Sequence, residues 1–404
     1  MNNKIGKDAK LLIINDLFYS ITAVFLETFL VAYFLKITNE NIFVVATYYI
    51  TLYTLMGLGN ICIGRFIKKK PNRGKIFLSI GVFLRATFIL SIVLIGSKVS
   101  NYHILIAIIY SISQIFYWCA HEVIYVDVTN ENNRKKFMSL KKIFSKIINI
   151  LIPIVLGASI ELYSFSKIAI YVLFISVLEI ISVLLIKNST KISDKGKYSI
   201  TKFLKCIKEN KMHKEKYYNL SSIAYGMVES VISTIIIIIT IMTFKTSINL
   251  GILTTIFSIC SMITLLLYNK YYNKNNSKYI LTICSVILLL SVIGLLIDIN
   301  KITLVIYNFC YANIFCIFEV TYNARKGDLV EECKIENYKE EHIGLSAFTI
   351  SLGRVTGYFL MMIVALLNDI IYFKLLLLII TLIAPIYCLL MNKTYLWYVI
   401  IMYI

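Results

Sequence analysis

Long apolar runs separated by short polar stretches recur from one end of this 404-residue chain to the other. A helix rises about 1.5 Å per residue, so roughly 20 apolar residues cross a bilayer core about 30 Å thick. On that measure the pattern predicts twelve transmembrane helices, at 11–35, 42–66, 76–96, 103–126, 140–163, 168–187, 218–244, 250–268, 280–298, 303–324, 343–367 and 371–391. No stretch outside them is long enough to bury a core of its own. The expected fold is therefore an all-α membrane protein. A hydrophobic share of 59% and a mean hydropathy of +0.78 agree, since both exceed what a soluble domain carries.

The polar stretches alternate in character. Those after odd-numbered helices are short, and those after even-numbered helices are longer and basic. Of the 41 Lys and Arg, 32 fall on one side of this alternation, and the other side has only Lys36, Lys98, Lys167, Lys245 and Lys301. Positive residues mark cytoplasmic loops, so the chain is expected in the cell membrane with both termini in the cytoplasm. Cysteine labelling should then find Lys195 and Lys274 inside. The formal net charge of +19 would otherwise suggest a nucleic-acid partner. Distributed in this way it signals topology and attraction to anionic lipid headgroups, and no nucleic acid is expected. No small-residue cleavage site follows the first charged residues, so helix 1 reads as a spanning helix rather than a removed signal.

The longest hydrophilic stretch, from Lys187 to Lys216, falls between helices 6 and 7. It divides the chain into a six-helix bundle (1–187), a basic cytoplasmic linker (188–217) and a second six-helix bundle (218–404). Within the linker, Thr201 to Lys211 has the pattern of a short basic amphipathic helix lying on the inner leaflet. The halves echo one another. Glu122-Val123-Ile124-Tyr125 in helix 4 matches Glu319-Val320-Thr321-Tyr322 in helix 10, each with a Cys three residues earlier, Cys119 and Cys316. Leu26-Glu27-Thr28 in helix 1 likewise matches Val228-Glu229-Ser230 in helix 7. Parallel repeats of this kind are a hallmark of twelve-helix transporters.

With these motifs the chain resembles the major facilitator superfamily over nearly its whole length. The family's loop between helices 2 and 3 usually reads Gly-x-x-x-Asp-Arg-x-Gly-Arg-Lys/Arg. Here Asn60 to Lys69 keeps Arg65 and Lys68 in register, while Gly64 replaces the Asp and Ile67 the second Gly. The gating contacts that the resemblance assigns to this loop therefore lack their carboxylate. Exporters of the family carry a Gly/Pro-rich motif in helix 5, and Pro153-Ile154-Val155-Leu156-Gly157 matches part of it. The family's helix-4 Arg is absent, its place falling near Ser111. The resemblance also implies that helices 1, 4, 7 and 10 line a central cavity.

Charged groups inside a bilayer cost several kcal/mol unless a cavity or a partner receives them, so each is a functional candidate. They are Glu27, Arg85, Glu122, Lys146, Glu179, Glu229, Glu319 and Arg354. Four of the five Glu lie on helices 1, 4, 7 and 10. Glu229 and Arg354 fall near mid-span, Glu27 a little outward, and Glu122 with Glu319 roughly 10 Å toward the cytoplasm. Such a carboxylate can carry a proton or hold a cationic substrate, and competition between the two couples their movements. The alternative reading of Glu229–Arg354 and of Glu122–Lys146 is a structural ion pair holding helices in register. Arg85 and Glu179, on helices that the resemblance places at the periphery, read as packing or lipid-facing exceptions. His121 beside Glu122 is either a proton relay or a structural residue.

The leading expectation is a monomeric, proton-coupled secondary transporter that exports an amphipathic or cationic small molecule or peptide. Substrate and proton coupling are assigned to Glu27, Glu122, Glu229, Glu319 and Arg354, and the gating loop to Arg65 and Lys68. Uptake of a small metabolite is the alternative transport reading. From other classes come an intramembrane lipid-modifying enzyme and a non-transporting immunity or sensor protein. The first wants a His or Asp cluster at one membrane face, and His103, His121, His213 and His342 are too dispersed in sequence for one. No P-loop, Gly-x-Ser-x-Gly elbow or metal-spaced His/Cys set occurs, so neither a cofactor nor a metal is expected.

Overall fold

The computed structural model describes residues 6–67, 73–129, 131–187, 198–209, 212–271, 277–333, 335, 338–367 and 369–395. Among them eleven stretches are long and apolar enough to cross a membrane. One of these, Gly74–His121, is two helices joined by a 3-10 turn at Gly96–Tyr102. Twelve long helices result: α1 (Lys7–Ile37), α2 (Ile42–Ile67), α3 (Arg73–Ile95), α4 (His103–Val128), α5 (Glu131–Tyr163) and α6 (Phe165–Leu184). After the linker come α7 (His213–Phe244), α8 (Ser247–Tyr271), α9 (Ser277–Ile297), α10 (Lys301–Glu332), α11 (Lys339–Leu367) and α12 (Ile370–Tyr395). Helices suit this environment because each satisfies its own backbone hydrogen bonds where lipid offers none.

Several helices are longer at the basic side than their apolar segments. Helix α5 gains nine residues over the expected start at 140, and α10 runs to Glu332 rather than 324. Apolar length measures only the part in lipid; the hydrogen-bond ladder continues into water wherever the sequence permits it. Helix α1 departs from regularity in another way. Residues Phe25–Phe29 form a π turn, and Glu27 lies within it.

The helices pack as two compact units: residues 1–194 with 244–258, and residues 195–243 with 259–404. In the first, α1, α3, α4, α5 and α6 enclose a core that includes Leu12, Ile13, Leu78, Val82, Tyr117, Phe137 and Val183. The first half of α8 belongs to this unit. There Gly157 lies so close to α8 that a Cβ would stand 2.6 Å from the Ser247 carbonyl oxygen, and Gly251 meets the Pro153 carbonyl as closely. The Pro/Gly motif of helix 5 is thus a helix-contact motif in this fold.

In the second unit the amphipathic helix forms at Ile200–Glu209, and its apolar face turns toward protein. Phe203 is fully buried with Ile335 and Leu345, and the Ser199 N–H donates to Glu341 Oε1 at 2.9 Å. Its Phe203 side is therefore closed to the leaflet on which the pattern placed it, while Lys202, Lys205 and Lys208 stay exposed. Nearby, the buried Arg325 donates through Nη1 and Nη2 to Glu332 at 2.7 and 2.9 Å. Arg325 also donates to the Thr394 carbonyl, and Lys214 Nζ donates to Glu332 at 2.7 Å. Arg325 and Lys214 hold the Glu332 carboxyl down to about 2, against an ordinary value of 4.5. A depressed carboxylate stabilises the fold fully above its unfolded value, and that contribution disappears as pH falls through the folded one. Glu332→Gln should therefore lower the melting temperature at pH 7, and the gap to the unsubstituted protein should narrow as the pH falls from about 4.5 toward 2.

Candidate functional site

In the second unit α7 and α11 cross on glycine. A Cβ at Gly226 would run into the Ile350 carbonyl, and one at Gly353 into that of Ile223. The crossing places the next residues opposite each other. Arg354 Nε and Nη2 both donate to Glu229 Oε2, at 2.9 and 2.5 Å. The pair is not sealed: the Arg354 and Glu229 side chains keep 19% and 29% of their surface exposed. Tyr311 of α10 donates to the Glu229 carbonyl at 2.9 Å. Tyr225 and Tyr311 both lie within electrostatic reach of Glu229 and of Glu319, which is itself exposed on α10. Three of the five assigned coupling residues thus gather around two tyrosines. Because backbone has to move to admit a side chain at the crossing, Gly353→Ala should cost about 1–3 kcal/mol or more. A melting temperature equal to that of the unsubstituted protein would contradict the close crossing.

In the first unit Glu27 is exposed at the π turn, within electrostatic reach of Tyr19, Tyr48 and Tyr110. Glu122 lies on α4 and Arg65 near the end of α2, but their side chains fall outside those described. Lys68, Lys195 and Lys274 also lie outside the described residues.

Arg85 and Glu179 do not face lipid. Both are fully buried and pair at 3.0 Å, α3 to α6. The guanidinium sits 4.1 Å over the Tyr19 ring and 4.4 Å over that of Tyr117, two rings that stack on each other. The resemblance places their helices at the periphery, and a partner 94 residues away cancels the lipid-facing half of that reading.

His121 has a definite partner as well. Its Nε2 lies 2.7 Å from Asp16 Oδ1, and Lys141 Nζ of α5 lies 3.2 Å from Asp16 Oδ2. Asp16 escaped the sequence reading because it stands near the basic end of helix 1, where a solvated carboxylate is unremarkable. A second repeat pointed to it. Asp16 precedes Tyr19 by three residues, as Glu215 precedes Tyr218. Glu215 Oε1 pairs with His342 Nδ1 at 2.8 Å, both side chains fully buried. Each Tyr stacks on a Tyr of the unit's fourth helix, Tyr19 on Tyr117 and Tyr218 on Tyr322. The two units therefore share an acid–histidine pair under a tyrosine stack.

Among the described residues no group of three His, Cys, Asp or Glu is placed to hold a metal ion. The arrangement offers carboxylates, a guanidinium and aromatic walls, which suits binding and proton exchange rather than bond-making chemistry.

The overall arrangement has many solved counterparts. The nucleoside transporter NupG superposes with a TM-score of 0.73 at 12% identity, covering 97% of this chain and 100% of that one. A bacterial homologue of the iron transporter ferroportin, in an inward-facing state, gives 0.69 at 14% identity, covering 96% and 99%. A POT family transporter in complex with a thioalcohol-conjugated peptide gives 0.66 at 11% identity, covering 96% of each chain. A search of curated proteins finds no match. The profile of the Major Facilitator Superfamily matches residues 11–324, most of the chain. Twelve helices in this fold, the degenerate loop and helix-5 motifs and that match together make the chain a member of the major facilitator superfamily of membrane transporters.

Proposed function

We propose that the protein is a proton-coupled secondary transporter that exports an amphipathic or cationic small molecule or peptide. The observation that carries this is the Glu229–Arg354 pair, a carboxylate and its counter-ion left partly open inside two apolar helices beside Tyr225 and Tyr311. A carboxylate in that setting alternates between a proton and its Arg, which is the minimum a coupling site needs. Glu27 then holds the cationic group of the substrate, and Glu122 with Glu319 serves the inward pathway. Arg65 and Lys68 keep the basic part of the inner gate. Transporters of unrelated cargo share this fold at 11–14% identity, so the fold itself does not select among substrates. The outward direction rests on the partial helix-5 motif, Pro153 to Gly157.

In proteoliposomes holding this protein alone, an acid-inside gradient should drive accumulation of a cationic amphiphile such as ethidium, with the lumen turning alkaline as it enters. No substrate-dependent pH change across a panel of amphipathic cations and peptides would overturn proton coupling. The proposal includes a monomer in the plasma membrane, six helices on each side of a cytoplasmic linker, and both termini inside. Cysteines at Lys195 and Lys274 should resist impermeant reagents added to intact cells and react after lysis. Labelling of either from outside would reverse the orientation.

A further inference from the structure

The first unit holds a cavity of about 140 Å³ between α1, α4 and α5, lined in part by Asp16, Tyr19, Trp118, Lys141 and Phe144. One water needs roughly 10–15 Å³ on this measure, so the space suits a small head group, well beyond a single solvent molecule. Its walls are fixed. Gln114 Oε1 accepts from the Tyr19 hydroxyl at 3.1 Å and from Trp118 Nε1 at 3.0 Å, which pins both rings from one point. Asp16 is more than nine-tenths buried. Its Oδ1 is engaged by His121, which leaves Oδ2 turned to Lys141. Opposite it stands the Lys141 ammonium, 3.2 Å from Oδ2, 3.2 Å from His121 Nε2 and 5.9 Å from the Trp118 ring centre. A carboxylate oxygen and the face of an indole are the two groups that recognise an alkylammonium. The chain's own lysine occupies the place at the end of a flexible stem, and a quarter of its side chain is exposed.

We propose that this cavity is a second cation site besides Glu27, one for a primary alkylammonium group, and that Lys141 is its tethered occupant, displaced when such a group enters. The inference rests on the reading above only in naming what is transported. It assigns the first unit a head-group site built from residues other than Glu27 and Glu229. Arg85 and Glu179 pair with each other and are not among the residues that line the cavity. The matching acid of the second unit, Glu215, is engaged by His342 and Asn219 instead.

Trp397→Phe leaves Trp118 as the single tryptophan of these 404 residues. In detergent, with no pH gradient, n-butylammonium should change Trp118 emission saturably, whereas 1-butanol, which lacks the charge, should not. Lys141→Ala removes the competitor and should tighten n-butylammonium binding about tenfold or more. Asp16→Asn should abolish the response and Asp16→Glu should keep part of it. If Lys141 were only a structural ion-pair partner, its removal would lower the melting temperature and create no ammonium affinity. Lys141→Ala binding no more tightly than the protein that keeps Lys141 overturns the proposal. So does an undiminished response in folded Asp16→Asn. Should Asp16→Asn not fold, the Lys141→Ala comparison decides alone. Proton coupling is read by the substrate-dependent pH change in proteoliposomes and the ammonium site by Trp118 emission in detergent, so failure of one and failure of the other remain separate results.

Discussion

Glu229→Gln should reduce gradient-driven transport to the level of empty liposomes while leaving substrate exchange largely intact, since exchange needs no net proton movement. The amide keeps the size and a hydrogen bond to Arg354 but cannot load a proton. Glu27→Gln should act differently, weakening binding, most of all for cationic substrates. A pair that merely held α7 and α11 together would give another outcome: loss of folded protein in Glu229→Gln, restored when Arg354 is neutralised too. The partial exposure of both side chains argues against that, because water offsets part of what the missing partner supplied. A folded Glu229→Gln protein with unchanged proton coupling would refute the assignment. Gradient-driven uptake and counter-flow, measured on the same proteoliposomes, separate these results.

The largest stability effect should come from the other unit. Removing one partner of a buried ion pair strands the other, at about 3–5 kcal/mol, whereas replacing both with apolar groups of similar volume is often neutral. Glu179→Leu alone leaves Arg85 with Thr22, at 3.4 Å, and two tyrosine faces, none of which carries a charge. Single substitutions at Arg85 or Glu179 should therefore aggregate or melt far below the unsubstituted protein. Arg85→Met combined with Glu179→Leu should restore most of the loss. Fluorescence-detected size exclusion after heating reads this directly, and equal melting of single and double variants would contradict a buried pair. A transport defect in the stable double variant would show that the pair has a role besides packing.

Helix number was legible because apolar run length is a local, repeated signal that twelve segments supply independently, and the family because parts of its loop and helix-5 motifs survive. Partnerships were less so. Glu229 and Arg354 are 125 residues apart in sequence, and their meeting depends on the glycines at 226 and 353, which look like ordinary helix glycines until the crossing is seen. Asp16, His121 and Lys141 come from three helices and stand near the basic ends of their spans, where charge carries no surprise. The acid-x-x-Tyr repeat at Asp16 and Glu215 was present in the sequence, but it is too short to stand out without the tyrosine stacks that give it meaning.

The π turn in α1 has a consequence for how this helix tolerates length changes. Such a turn takes up one residue more than α-helical bonding requires, in the manner of an absorbed insertion. Each helical residue advances about 100°, so removing one residue elsewhere in α1 swings everything beyond it off its packing face. Phe34 and Leu35, both fully buried, would then leave their places. Deleting one residue between Phe25 and Phe29 instead lets the ladder close in the ordinary way with both flanks still in phase. The segment around Glu27 is thus the one place in the helix where the chain can be shortened by a residue without re-threading the bundle.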